Sequence, residues 1–296
     1  MNEFKHYSVM TKEATDALNC QNGKIYVDAT LGGGGYSELI LRQIQPNGRL
    51  VAFDVDEDAI KVATKKLKHY KNLTIVKDSY TNIKNVLQIL NIEKITGGIV
   101  FDLGASLHQL TCAERGFSFA KDAPLDMRFD QDADFSAYDV VNKYRENDLV
   151  YIFSNYGEER FSKRIAKRIV ETRKKSPIRT TTELANLIIS ATPRTNSKLH
   201  PATRVFQAIR IEVNQELQNI KNTLEKVVPL LDVGAIITVV SFHSLEDRIA
   251  KQFFREHSNE GGLLVTFTKK PLTASEEEIK ENPPSRSAKL RIAKRI

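Results

Sequence analysis

Residues 24–37 read Lys-Ile-Tyr-Val-Asp-Ala-Thr-Leu-Gly-Gly-Gly-Gly-Tyr-Ser. A short apolar run (24–30) passes into four consecutive glycines (32–35), and the helix-like SELILRQI follows at 37–44. Glycines at such a turn tolerate positive φ and let the backbone come close to a ligand. The free N–H groups at the start of the following helix attract a carboxylate or other anion. A plain tight turn is the simpler alternative, but four glycines in a row are costly to order without a ligand to justify them.

The pattern outward from this loop sets the fold class. Residues 49–54 (RLVAFD) read as a second strand, and 56–70 as a helix. Residues 73–77 form a third strand and 83–90 a helix, and 98–103 (GIVFDL) form a fourth strand. Strands alternating with helices imply a parallel, doubly wound sheet. The rhythm stops near Leu110. Helical candidates at 148–153, 162–174 and 182–190 follow, punctuated by Pro124, Pro177, Pro193 and Pro201. It then resumes with a long amphipathic helix at 203–228, a strand at 234–242 and a helix at 245–257. Two last strands are expected at 262–269 and 287–295, separated by the solvated loop TASEEEIKENPPSRS. The expectation is an α/β protein with a Rossmann-like seven-stranded sheet, made of residues 1–109 and 208–296, with an inserted helical domain at 110–207.

Composition narrows the class. The chain has 296 residues, 41% hydrophobic and 27% charged, ordinary values for a globular protein with a real core. No run approaches the roughly 20 apolar residues of a membrane helix, and the first residues lack an apolar signal core. The two cysteines, Cys20 and Cys112, form no CxxC or Cys/His cluster, so neither a disulfide framework nor a metal site is expected. A cytoplasmic protein with no membrane partner fits best. The net charge of +7 permits nucleic-acid binding without requiring it. Its distribution says more: residues 160–204 hold 12 bases and 2 acids, and residues 114–159 hold 5 bases and 11 acids.

Two cofactor patterns compete for the glycine loop. The dinucleotide fingerprint G-x-G-x-x-G finds Gly32 and Gly34 but meets Ser37 in place of its third glycine. The acid-x-G-x-G-x-G pattern of adenosylmethionine enzymes is met by Asp28, Thr30, Gly32 and Gly34 with one substitution. Asp54 ends strand two and can accept hydrogen bonds from ribose hydroxyls in either case. Tyr80 follows strand three, where an adenine could stack or the ring could simply pack. Asp102 ends strand four, where polar groups face the ligand crevice of an open α/β sheet. It could bind the cofactor or accept a proton from an amine. His108 is a candidate base or a half-exposed loop residue. The strand after the insertion ends in Ser241-Phe242-His243-Ser244-Leu245-Glu246-Asp247, with Ser244 a natural helix N-cap. On a helical projection of 160–174, Phe161, Ile165 and Ile169 form an apolar stripe, and Arg160, Lys163, Arg164, Lys167 and Arg168 crowd the opposite side. That face suits a phosphate backbone, or simply water. A nicotinamide-dependent oxidoreductase and a non-catalytic RNA-binding protein are the alternatives to a methyl-transferring enzyme. Ser37 speaks against the first, and the acids at the ends of strands one, two and four speak against the second.

In order and spacing, a set of segments resembles one family, the bacterial small-subunit ribosomal RNA cytosine-N4 methyltransferases (MraW). They are HYSVM (6–10), VDATLGGGGYS (27–37), AFDVDEDAI (52–60), FDLGASLHQL (101–110), RGFSF (115–119) with PLDMRFD (124–130), NYGEERFSKRIA (155–166), HPATRVFQAIRIEVNQEL (200–217), VVSFHSLEDRIAKQFF (239–254) and NPPSRSAKLRIAK (282–294). The resemblance implies an S-adenosyl-L-methionine-dependent enzyme that methylates the N4 amine of a cytosine in the decoding centre of 16S rRNA, within the small ribosomal subunit. By position it implies cofactor contacts at Gly34, Gly35, Tyr36, Asp54, Tyr80, Asp102 and Gln109. Asp102 is the candidate catalytic group, and Arg160, Lys163, Arg164 and Lys167 are the candidate RNA contacts. The family usually has His where Tyr36 stands and Ser-Pro where Leu107-His108 stands. The oligomeric state is left open, a homodimer included.

Overall fold

Short β-branched and aromatic runs, each closed by a polar or glycine-rich turn, become the strands of one sheet. The computed structural model describes residues 8–193 and 199–296. In chain order, α1 (Thr11–Leu18), β1 (Ile25–Asp28), α2 (Gly35–Ile44), β2 (Arg49–Asp54), α3 (Glu57–Leu67), β3 (Leu73–Lys77), α4 (Ile83–Ile89) and β4 (Gly98–Asp102) come first. Six helices follow: α5 (Leu107–Thr111), α6 (Ala137–Lys143), α7 (Glu146–Asn155), α8 (Ser162–Arg173), α9 (Thr181–Ala191) and α10 (Thr203–Val213). Then come α11 (Glu216–Val227), β5 (Ile236–Ser241), α12 (Ser244–His257), β6 (Leu264–Thr266), β7 (Leu272–Thr273), α13 (Glu276–Glu281) and β8 (Lys289–Arg295).

The strand order is β3-β2-β1-β4-β5-β8-β6, with the two-residue β7 added on β8. Strands β1 to β5 are parallel, and β8 runs antiparallel to β5, β6 and β7. Seven strands thus lie along the main path, and β7 is an eighth that was too short to read from the sequence. The period-two alternation of a buried sheet sorts its side chains cleanly. Val27, Val51, Phe53, Ile99, Phe101, Ile237 and Val239 share one core with Ile83 and Leu87 of α4, Leu224 of α11 and Phe253 of α12. Tyr26, Leu50, Ala52, Val100, Ile236 and Val240 face the other way, with Leu18 of α1, Ile40 and Ile44 of α2 and Ala63 of α3. Each large apolar side chain so buried stabilises the fold by roughly 1.5–3 kcal/mol.

The chain divides into two units, residues 1–104 with 217–296, and residues 105–216. The boundaries differ from 109/110 and 207/208 for a packing reason. Val205, Phe206, Ala208 and Ile209 of α10 lie in the core of the second unit, and Ala105 packs against that core. The helix expected over 203–228 breaks in two at Gln215, which takes φ +50°. Asn214 secures the break: its Oδ1 accepts from Phe129 N–H (2.7 Å) and its Nδ2 donates to Met127 C=O (2.8 Å). The loop expected at 273–287 contains the six-residue α13, capped by Ser275, which accepts from Glu278 N–H. Acids in a first helical turn favour this. Glu278 also accepts from Met10 N–H (2.7 Å), so the acidic stretch is not purely solvated.

Candidate active site

The carboxyl ends of β1, β2 and β4 each deliver an aspartate; the first two bond to the loop and helix start at 30–37, and the third is tied through its backbone to Thr30. Asp28 is fully buried; its Oδ2 accepts from Ser37 Oγ (2.6 Å) and its Oδ1 from Thr30 N–H (3.1 Å). Ser37, the residue that departs from the dinucleotide fingerprint, is thus committed to holding α2 onto β1. Asp54 Oδ2 accepts from Gly32 N–H (2.8 Å), and Oδ1 accepts from Asp56 N–H (2.9 Å). Each oxygen of a carboxylate has a second lone pair, so Asp54 can hold the loop and still receive a diol. Thr30, which stands where the adenosylmethionine pattern has glycine, accepts from Asp102 N–H through Oγ1 (2.7 Å) and ties β1 to β4.

Gly34 is a loop position whose backbone favours glycine. It has φ +75°, and a Cβ there would lie 2.9 Å from Leu67 Cδ1. It serves as the N-cap of α2 without a side chain, so the first N–H groups of that helix are not capped by a side chain of their own residue.

Burial and mutual repulsion control the charge of these acids. Burial pushes Asp28 up to about 6. It pushes Asp54 up to about 6 as well, against the pull of the two backbone donors. Asp102 is raised well above its ordinary value, by burial first and then by the neighbouring charges of Asp28 and Glu246. As a residue Asp102 is only partly buried, but its Oδ1 is sealed from solvent and has no hydrogen-bond partner. Glu246 is fully buried on α12; its Oε2 accepts from Phe242 N–H (2.8 Å) and His243 N–H (3.3 Å). The N-cap of α12 is His243, whose Nδ1 accepts from Glu246 N–H (3.4 Å), rather than the expected Ser244, which is exposed in the first helical position. The backbone turns one residue earlier than the serine suggested, because Glu246 reaches back to two N–H groups.

Tyr80 opens a short 3₁₀ turn after β3, half-buried, with its ring edge-on to Phe101 at 5.8 Å between centroids. Tyr36 is 1% exposed, packs in the core behind α2, and donates its hydroxyl to Val9 C=O. A side chain anchored there leaves Tyr36 only its backbone to offer a ligand. Gln109 belongs to the second unit. It is buried, and its Oε1 accepts from Ser106 N–H (2.9 Å) in the capping box of α5.

In the second unit, α8 buries Ile165, Ala166 and Ile169 and exposes Lys163, Arg164, Lys167 and Arg168. Arg160 is exposed with its guanidinium 4.5 Å from the centre of the Phe161 ring. Among the described residues, no acid pairs with Arg160, Lys163, Arg164 or Arg168, and Lys167 meets Glu171 only at 4.0 Å. The acids of the preceding stretch are engaged locally instead: Asp126 with Arg128, Asp139 with Lys143, Asp148 with Arg145. Arg173, by contrast, points inward and donates to Val141 C=O (2.6 Å) and Tyr144 C=O. Arg194 and Lys198 of the basic stretch lie outside the described residues.

The donor and acceptor set at the strand ends fits adenosylmethionine. It offers a carboxylate for a diol, helix N–H groups for a carboxylate, an aromatic ring for a purine and an unpartnered acid for a cation. Residues 3–296 match the MraW methylase family. The chain belongs to that family. A Sulfurihydrogenibium protein (strain YO3AOP1) named "Ribosomal RNA small subunit methyltransferase H" is 51% identical over 295 residues, covering 99% of both chains. A protein of the same name from Caldicellulosiruptor bescii is 50% identical over 307 residues, covering 99% of this chain and all of its own. A crystal structure from Clostridium thermocellum superposes over 99% of this methylase with a TM-score of 0.50 at 14% identity, a likeness that speaks for the fold alone.

Proposed function

We propose that this methylase transfers the methyl group of S-adenosyl-L-methionine to the N4 amine of a cytosine in the decoding centre of 16S rRNA, acting in the cytoplasm on the small ribosomal subunit or its RNA. The observation that supports this most is the unpartnered, sealed Asp102 Oδ1 at the carboxyl end of β4, in a chain whose full-length relatives bear that enzyme name.

The cofactor, when bound, supplies an electrophilic methyl group. The chain supplies position and charge. Asp54 holds the ribose hydroxyls, Gly34 lets the backbone come close while Gly35 and the backbone of Tyr36 present N–H groups at the start of α2, and Tyr80 lies against the adenine. The N4 lone pair of cytosine is delocalised into the ring, so the nitrogen is a poor nucleophile, and catalysis rests on alignment rather than on a strong base. Asp102 accepts a hydrogen bond from the amine and turns its lone pair toward the methyl group. The base must be unpaired or flipped out to reach such a site. Arg160, Lys163, Arg164 and Lys167 hold the RNA backbone. No helix among the described residues is long and apolar enough to cross a membrane.

Tritiated adenosylmethionine offered with small subunits, or with their RNA, tests the reading. Label should appear in 16S rRNA, and nuclease digestion followed by mass spectrometry should find it on N4 of one cytosine. Absence of label, or label on a ring carbon, refutes it.

A further inference from the structure

Three carboxyl groups, Asp28 buried and Asp54 and Asp102 partly buried, stand at the ends of neighbouring parallel strands, and among the described residues no lysine, arginine or histidine is paired with any of them. Asp28 accepts from Thr30 N–H and Ser37 Oγ, and Asp54 accepts from Gly32 N–H and Asp56 N–H. Asp102 differs. Its Oδ1 is sealed and unpartnered. Besides burial, the charges of Asp28 on β1 and Glu246 on α12 disfavour its ionised form, and its own charge bears in turn on the Tyr36 hydroxyl of α2. Behind these, Glu13 of α1 and Glu278 of α13 bear on Tyr36. The one nearby imidazole, His243, faces Glu246 Oε1 (Nε2 at 3.2 Å). Among the described residues no cation is paired with Asp102, and an acid so placed favours its neutral form until a cation arrives.

The cofactor carries such a cation and the product does not. The sulfonium of adenosylmethionine is positive, and the thioether of adenosylhomocysteine is neutral. Resting on the cofactor reading above, we propose that Asp102 is a proton-exchanging charge sensor, which gives up one proton when the sulfonium binds and regains one from the N4 amine as the methyl group moves. The balance closes within one turnover. The nitrogen–carbon bond forms as the sulfur–carbon bond breaks, sulfur keeps the electron pair, and the proton lost by the methylated amine goes to the Asp102 carboxylate. The site is thereby returned to its neutral form at the moment the sulfur loses its charge. The strongly attracting carboxylate exists only while there is a sulfonium to attract, and cofactor and product are told apart by charge.

Calorimetry without RNA tests this, because no turnover occurs. Each ligand is titrated into the protein at neutral pH in two buffers of very different ionisation enthalpy, phosphate and Tris. Adenosylmethionine should release about one proton per site and adenosylhomocysteine none. The adenosylmethionine dissociation constant should accordingly fall about tenfold per pH unit while that of adenosylhomocysteine stays flat. Asp102→Asn should abolish the release and shrink the affinity ratio between the two ligands. Asp54→Asn should weaken both ligands and leave the release intact, which keeps the test decisive even if Asp102→Asn fails to fold. Equal proton counts for the two ligands, or a release that survives in Asp102→Asn or vanishes in Asp54→Asn, overturns the proposal and leaves the cofactor reading standing. If neither ligand binds the wild-type protein, both fall.

Discussion

Replacing Asp54 with asparagine separates its two duties. In the wild type its carboxylate receives Gly32 N–H at 2.8 Å and Asp56 N–H at 2.9 Å. Asparagine can accept one of these and must turn an NH₂ toward the other, at a cost of roughly 1.5–3 kcal/mol for a lost charge-assisted bond. Against this stands the cost of keeping a charge in a dry place. Burial lifts the group from its ordinary 3.8 to about 6. A shift of that size is worth about 3 kcal/mol against the folded state at pH 7. The sign is that of a raised acid: measured against pH 7, the group favours folding by that amount below pH 3.8, and the advantage is lost as pH rises through about 6. The two effects nearly cancel at neutral pH, so Asp54→Asn should unfold in urea within about 1 kcal/mol of the wild type. Its stability relative to the wild type should improve as pH is raised from 4 to 7. Ligand binding has no such compensation. Losing an anionic acceptor for the ribose should weaken adenosylhomocysteine binding about tenfold or more, measured by calorimetry. A folded variant with unchanged affinity would remove Asp54 from the site. A stability loss well beyond 3 kcal/mol at pH 7 would show that loop anchoring dominates, and the compensation argument would be wrong.

Three further perturbations probe other parts of the molecule. Lys163→Ala/Lys167→Ala should leave thermal stability and cofactor affinity alone, because both side chains are exposed and neither has a close acid. It should flatten the log–log salt dependence of single-stranded RNA binding by about 0.7 per lost phosphate contact; a stability loss with unchanged RNA binding would make the basic face an internal clamp. Gly34→Ala should cost roughly 1–2 kcal/mol in urea melts from the left-handed backbone alone, and more from the Cβ pressed against Leu67. Ser37→Ala removes the 2.6 Å donor to the fully buried Asp28, so the protein should lose roughly 1–3 kcal/mol at pH 7, with the loss shrinking as pH falls and Asp28 takes up a proton; a pH-independent loss would contradict this.

Much of the fold was legible because its signals are local. Strands β1 to β4 are short apolar runs closed by Asp28, Asp54, Lys77 and Asp102, and period-two burial needs no long-range information. The site acids were legible for the same reason, since they are the last residues of strands that had to be adjacent. What escaped the sequence depends on distant partners. The break at Gln215 is held by Asn214 reaching a segment 85 residues away, while the amphipathic period runs on through it. The helix at Glu276–Glu281 reads as a solvated loop until Ser275 and Met10 are in place. Tyr36 looks like a ligand contact because it sits beside the glycines, but its ring is turned into the core by the Val9 carbonyl. His243 displaced Ser244 as a cap only because Glu246 satisfies two backbone donors at once.

The sheet order β3-β2-β1-β4-β5-β8-β6 also has a consequence for assembly. Everything on one side of the β4–β5 boundary comes from residues 25–102, and everything on the other from residues 236–295. The protein is two contiguous half-sheets sewn along one seam, where Gly98 meets Ile236 and Asp102 meets Val240. Each half can form from neighbouring chain, but the seam joins residues more than a hundred positions apart. Closing so long a loop is entropically slow, although the separate core of residues 105–216 can shorten the effective search by folding first. Asp102 lies on the seam itself, and Glu246 faces it from the far half. The acidic surroundings that give Asp102 its character therefore do not exist in either half alone, and they come into being only with the last stitch of the sheet.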